Sequence, residues 1–165
     1  PIQNAILNGE AETGTTLFLL VEKVDHGPVL VSGIWKLGAG VAYKETEKQL
    51  AELAGDLLVE TLPKFVNGEI MPKPQDESQV SYTKKFTSED GFVDVETLKK
   101  AEAGGPEAIP IEQKIRALNP NPGVYTLRGD GKRMKLLEAE LMDGKLKLKK
   151  IQVEGKLPQV LANRV

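Results

Sequence analysis

Asp25 stands beside His26, the chain's only histidine, in the stretch Lys-Val-Asp-His-Gly-Pro-Val-Leu-Val, with apolar runs at residues 17–21 and 29–35 on either side. A carboxylate where one buried strand ends and the next begins occupies the kind of edge on which α/β proteins place working groups, and there it can hold a water or manage a proton. Adjacency in sequence does not make a catalytic pair, which requires a hydrogen bond between the two side chains. By spacing alone, Asp25 reads as a turn-former or cap and His26 as a structural or solvent-facing residue. No Gly-rich phosphate loop, Ser-His-Asp order or metal-ligand spacing occurs elsewhere. The absence of cysteine excludes thiolate metal sites and the single histidine excludes a His-rich zinc site, so no metal is expected.

A second set of residues carries charge rather than chemistry. In the run Lys-Leu-Lys-Leu-Lys-Lys, strand alternation sends Lys145, Lys147 and Lys149 to one side and Leu146 and Leu148 to the other. Lys132, Arg133 and Lys135 fall on the preceding strand and could extend this stripe. The chain carries 10 basic against 19 acidic residues through Gln113 and 12 against 5 from Lys114 onward, balances of −9 and +7. An acidic body with a basic C-terminal part suits a polyanion such as nucleic acid, and a lysine-rich sheet face kept for solubility is the other reading. Tyr125 is the one aromatic residue in this part, so phosphate or shape reading fits better than base stacking.

The elements that must position these residues follow from periodicity. At 165 residues, 40 % hydrophobic and 28 % charged, the composition is that of an ordinary soluble globular protein. No run approaches the roughly 20 apolar residues of a membrane span, and a cytoplasmic setting is expected. The chain opens at Pro1 without an initiator methionine, which reads as a fragment. Residues 1–9 read as the end of a helix closed by Gly9. Residues 15–24 and 28–37 are continuous apolar runs, predicted to be strands buried on both faces of a covered sheet. Leu50, Leu53, Ala54, Leu57, Leu58, Leu62 and Phe65 mark one face of a long helix from Lys44 to Asn67-Gly68, with a kink at Pro63. Residues 69–91 are polar, with two prolines, and read as linker. Helices are expected near residues 95–103 and from Pro110, ending at Asn-Pro-Asn-Pro-Gly, residues 119–123. A hairpin meander follows, with tight turns at Asp130-Gly131 and Asp143-Gly144. In the last strand the apolar phase passes from Leu146 and Leu148 to Ile151 and Val153, which predicts a bulge near Lys149-Lys150. The fold class expected is α/β followed by all-β: residues 1–68 as the tail of an α/β domain, 69–105 as linker, and 106–165 as a small β-barrel with a lead-in helix.

Several stretches in order and at family spacing resemble the methionyl-tRNA formyltransferase family. These are Pro-Ile-Gln leading a helix at residue 1, Glu-Thr-Gly-x-Thr leading into a strand at 12–16, the Asp-x-Gly core at 25–27, and the helix ending near 68. The Lys-x-x-x-Glu-Asp-Gly pattern and Ile-Arg-Ala-Leu-Asn-Pro-Asn-Pro-Gly at 115–123 complete the set. Asn121 stands where the family typically has Trp, and His26 where it commonly has Thr.

The resemblance implies the tail of a formyltransferase Rossmann-like domain and a small OB-like β-barrel. It implies formyl transfer from 10-formyltetrahydrofolate to the amino group of methionine on initiator tRNA, in translation initiation, by a monomer with no membrane partner. Asp25 corresponds to the family's catalytic Asp, which holds the water or histidine that manages protons as the amine attacks. The family's Asn and His, and most of the folate site, lie in a segment that would precede Pro1, so this stretch alone is expected to be inactive. Lys132, Arg133, Lys135, Lys145, Lys147 and Lys149 become candidate tRNA contacts. A sugar-nucleotide formyltransferase is the alternative, and a non-enzymatic RNA-binding or interaction module is the second.

Overall fold

The two apolar runs that flank Asp25 form an antiparallel hairpin in the computed structural model, which describes residues 1–161. β1 (Glu12–Phe18) pairs with β2 (Val29–Lys36), from Glu12 opposite Lys36 to Phe18 opposite Val29. Burial on both faces, expected from the apolar runs, is not found. Both strands alternate between half-buried and exposed positions, as a sheet packed on one face does. The apolar run also outlasts its strand: Leu20 and Val24 lie in the connecting loop, 91 % and 79 % exposed. The half-buried face lies against α2 (Tyr43–Val66), whose Leu53 and Leu57 approach Gly33 so closely that a Cβ there would sit 2.8 Å from a Leu57 methyl. Gly33 thus interrupts a β-branched strand to let a helix in. Thr46, Leu50 and Thr61 are the buried residues of α2, whereas Leu58 and Leu62, expected on the same face, are about half exposed. These elements and the stretch through Thr83 form one compact unit, residues 11–38 and 44–83.

The second unit comprises Pro1–Glu10, Ala39–Tyr43 and the chain from Lys84 on, a grouping that crosses the sequence boundaries at 68 and 105. It does so because α1 (Ile2–Leu7) packs against α4 (Ala108–Leu118), with Gln3 donating to the carbonyl of Asn121 at 2.9 Å. α3 (Val95–Glu102) is capped by Asp94, which accepts from the N–H groups of Glu96 and Thr97. The Thr97 amide leads the causes that hold the Asp94 carboxyl below the usual carboxylate range. On α4, Glu112 and Arg116 form a mostly buried ion pair at 2.6 Å, and Arg116 also donates to the carbonyl of Val41 at 2.7 Å. This fastens residues 39–43 to the helix.

The meander follows the sequence closely: β3 (Tyr125–Leu127), β4 (Arg133–Met142), β5 (Lys145–Val153) and a short β6 (Gln159–Val160) lie in that order as an antiparallel sheet. Asp143 and Gly144 both take positive φ, as the two-residue hairpin requires. The predicted bulge is present. Leu136 faces Ile151 and Glu138 faces Lys150, so Leu137 is extra; Ala139 faces Leu148, so Lys149 is extra on the opposite strand. β3 and β6 do not pair, so the sheet is open and no closed barrel forms among the described residues. No described helix is long and apolar enough to cross a membrane.

Asn119 joins helix to sheet. The two hydrogens of its amide reach three carbonyls, those of Ile115 (2.9 Å), Leu136 (2.8 Å) and Leu137 (3.2 Å), one hydrogen being shared, and its carbonyl accepts from Val124 N–H at 3.3 Å. Asn119→Ala strips partners from four buried or half-buried backbone groups. We expect it to destabilise this unit by about 2–3 kcal/mol, read as a lower urea midpoint, and a loss under about 0.5 kcal/mol would show that the amide is dispensable.

Candidate active-site turn and basic face

The loop from 19 to 28 is closed by Leu19 N–H donating to the carbonyl of Pro28 at 3.0 Å. Gly27 is obligatory there, because a Cβ would fall 1.6 Å from the carbonyl oxygen of Leu19. Asp25 takes a left-handed backbone, φ 61°, which for a non-glycine residue costs on the order of 1 kcal/mol and persists only where neighbours enforce it. Its carboxylate is exposed and has no hydrogen bond or ion pair among the described residues. A side chain so placed has both oxygens open to solvent.

The enforcing neighbours come from the segment that reads as linker. Lys73 and Val29 exchange backbone hydrogen bonds (2.7 and 2.8 Å), which ties this segment to the edge of β2. Gln75 then donates its amide to the carbonyls of Asp25 (2.9 Å) and Gly27 (2.7 Å). Asp76 accepts from the amide and hydroxyl of Ser78, which starts a 3₁₀ turn at Glu77–Gln79. That turn brings Glu77 Oε1 to 2.6 Å from His26 Nδ1, while Tyr82 Oη lies 3.2 Å from Nε2. Each ring nitrogen thus has one hydrogen-bond partner, Glu77 at Nδ1 and Tyr82 at Nε2. The histidine, first among the causes, holds the Glu77 carboxyl below the usual range. Both ring nitrogens are therefore committed, the imidazole is only 10 % exposed, and His26 does not pair with Asp25. Gln75, Glu77 and Tyr82 give no signal in the sequence, since each bond spans about fifty residues without periodicity.

The charged candidates lie in the other unit, and register decides which of them share a face. Tyr125 faces Lys135, which faces Gln152; Glu138 faces Lys150, Glu140 faces Lys147, and Met142 faces Lys145. Directly opposed residues share a face, and the two bulges offset each other, so Arg133, Lys135, Lys145, Lys147 and Lys149 all stand on one side of the sheet. Lys132 sits in the Asp130 turn just before β4. The opposite side buries Leu136, Leu146 and Val153. On the basic face Lys149 bonds Glu140 at 3.0 Å and Lys150 bonds Glu138 at 3.1 Å, so acid tempers the stripe at its middle. At the β3 end the Arg133 guanidinium lies 4.4 Å from the centre of the Tyr125 ring. Beside it is a concavity of about 320 Å³ lined by Arg133, Lys135, Gln152, Val153, Glu154 and Gly155. This end offers cations with a planar surface.

The chain resembles known proteins in sequence and in fold. Residues 106–163 match the family described as formyl transferase, C-terminal domain. The methionyl-tRNA formyltransferase of Nitratidesulfovibrio vulgaris (strain DP4) is 38 % identical over 134 residues, which is 81 % of this chain and 38 % of that protein. That of Lactobacillus delbrueckii subsp. bulgaricus is 38 % identical over 87 % of this chain and 42 % of that protein. Among solved structures, the methionyl-tRNA formyltransferase from Clostridium thermocellum aligns with a TM-score of 0.62 at 16 % identity, covering 93 % of this chain and 61 % of that one. HypX from Aquifex aeolicus, in complex with tetrahydrofolic acid, aligns with a TM-score of 0.69 at 19 % identity, over 96 % and 31 %. The chain spans about two fifths of the length of the curated relatives it matches. By sequence over most of its length the chain belongs to the methionyl-tRNA formyltransferase family, and its fold is one that HypX shares as well.

Proposed function

We propose that these residues serve a transferase that moves a formyl group from 10-formyltetrahydrofolate to the α-amino group of methionine on initiator tRNA. The observation that carries this reading is a family member holding an exposed, unpartnered carboxylate, Asp25, on a turn fixed from both sides. In the transfer the amine nitrogen bonds to the formyl carbon, the bond from that carbon to the folate nitrogen breaks, and the proton the amine loses is balanced by one that the leaving folate nitrogen gains. A solvent-reaching carboxylate supports that proton movement by holding a water or a histidine. A folate-borne donor is supported by the family and by the tetrahydrofolic acid bound to a protein of like fold. Residues 1–68 are read as the tail of a Rossmann-like catalytic domain and 106–165 as an OB-like barrel unit, acting as a cytoplasmic monomer. The two bulges of the β4–β5 hairpin, the kind of feature that bends a sheet, support the barrel reading.

Asp25→Asn, in the transferase of full family length that carries this sequence, is expected to lower kcat by about 100-fold while KM and the far-ultraviolet spectrum stay near the parent. Turnover within about threefold of the parent would remove Asp25 from the chemistry.

The acceptor is read from the basic face. If Lys132, Arg133, Lys135, Lys145, Lys147 and Lys149 neutralise tRNA phosphates, log affinity falls linearly with log salt, and each lysine replaced by alanine flattens the slope by roughly one unit. The clustered Arg133 and Lys135 are expected to matter more than Lys149, which Glu140 already engages. Equal low-salt tRNA affinity for the parent and for a Lys145→Gln, Lys147→Gln, Arg133→Gln variant would reject this surface. It would favour a sugar-nucleotide acceptor, whose small size needs no such face.

A further inference from the structure

We infer that Gln75 is a positioning residue for Asp25, an inference that rests on the proposed role of Asp25 in formyl transfer. Its carboxamide reaches back fifty residues and donates to the two carbonyls that bracket His26, those of Asp25 at 2.9 Å and Gly27 at 2.7 Å. The first of these bonds fixes the plane of the peptide that follows Asp25. On the far side of that peptide, Glu77 and Tyr82 hold the His26 ring at both nitrogens, and Gly27 is packed against the Leu19 carbonyl. The peptide after Asp25 is thereby held from outside the loop, which limits ψ at a residue already in the left-handed region, φ 61°. Gln75 touches no charged side chain in these contacts, and its amide hydrogens are both spent on this turn. The direction in which the Asp25 carboxylate projects is set by this one amide more than by any hydrogen bond of its own.

The alternative is that Gln75 merely fastens the segment after α2 to the hairpin. The antiparallel bridge between Val29 and Lys73 and the contacts of His26 already do that, which leaves the Gln75 amide for the turn itself. The two roles predict different double-mutant behaviour, because a residue that acts only through Asp25 has nothing to act on once the carboxylate is gone.

The test is a kinetic cycle in the transferase of full family length carrying this sequence, with Gln75→Met as the isosteric variant that cannot donate and Gln75→Glu as a second of the same size. Gln75→Met should lower kcat about tenfold or more with KM for both substrates within about twofold. In the Asp25→Asn background it should cause no further loss. Amide exchange at residues 25–27 should quicken at least tenfold in Gln75→Met, while amides of β1 and β2 away from the turn stay protected. Gln75→Glu, which sets an acceptor against two carbonyls, should be slower still at alkaline pH and recover as the pH falls and the carboxyl protonates. The same fold loss in both backgrounds would make Gln75 structural and overturn the inference. So would normal turnover of Gln75→Met alongside a crippled Asp25→Asn, and in that case the role of Asp25 stands. Normal turnover of Asp25→Asn would bring down that role and this inference together.

Discussion

The amide of Asn119 is the point from which the C-terminal unit is built. A helix end leaves its last carbonyls without partners, and a strand that bulges leaves a carbonyl out of the ladder. Asn119 meets both needs at once, donating to Ile115 at the end of α4 and to Leu136 and Leu137 at the bulge of β4. Its own carbonyl then takes the N–H of Val124, the residue from which β3 starts. Helix, bulge and first strand are thus placed by hydrogen bonds to one side chain, and Ile115, Leu118, Val124 and Leu136 are among the fully buried apolar groups of the same unit. A hydrophobic replacement of the same size could fill the volume and still leave the carbonyls bare.

Much of this unit was legible because its signals are local. The Asp-Gly pairs at 130–131 and 143–144 fix the hairpin ends, and the change of apolar phase at Lys149 reveals the bulge without a structure. The hairpin around Asp25 was less legible. The run Leu17–Leu20 and Val21 suggests a fully buried strand, yet the strand stops at Phe18, and Leu20 and Val21 beyond it are exposed. The β-branched and polar alternation of residues 12–16 was the better guide to where β1 lies. Within residues 69–91, which read as linker, the bonds to the hairpin have no local signal. The polar composition of this segment is that of a linker, but the polarity is consumed in bonds to residues 25–29. Contacts between positions about fifty residues apart follow no period, so nothing in the sequence announces them.

The same contrast applies to the candidate site. Asp25 was found because a carboxylate in a Gly-Pro turn between strands is conspicuous, and His26 because it is the only histidine. Their independence was expected from the sequence, whereas the partners of the His26 ring, Glu77 and Tyr82, were not visible in it. The lysines were legible individually, whereas their grouping on one face with Glu138 and Glu140 between them needed the register.

The paired bulges constrain how this hairpin can change length. Leu137 on β4 and Lys149 on β5 are each one residue more than a regular ladder holds, and beyond them the register returns to its former sum. Deleting both would leave an unbroken alternation in which every remaining side chain keeps its side of the sheet, with only the local curvature reduced. Deleting one alone would set the two halves of the hairpin out of step and force one stretch to turn its leucines outward and its lysines in. Insertions and deletions in this hairpin should therefore be tolerated in opposed pairs across the two strands, and an alignment that opens a single gap here has misplaced the residues between Leu137 and Lys149.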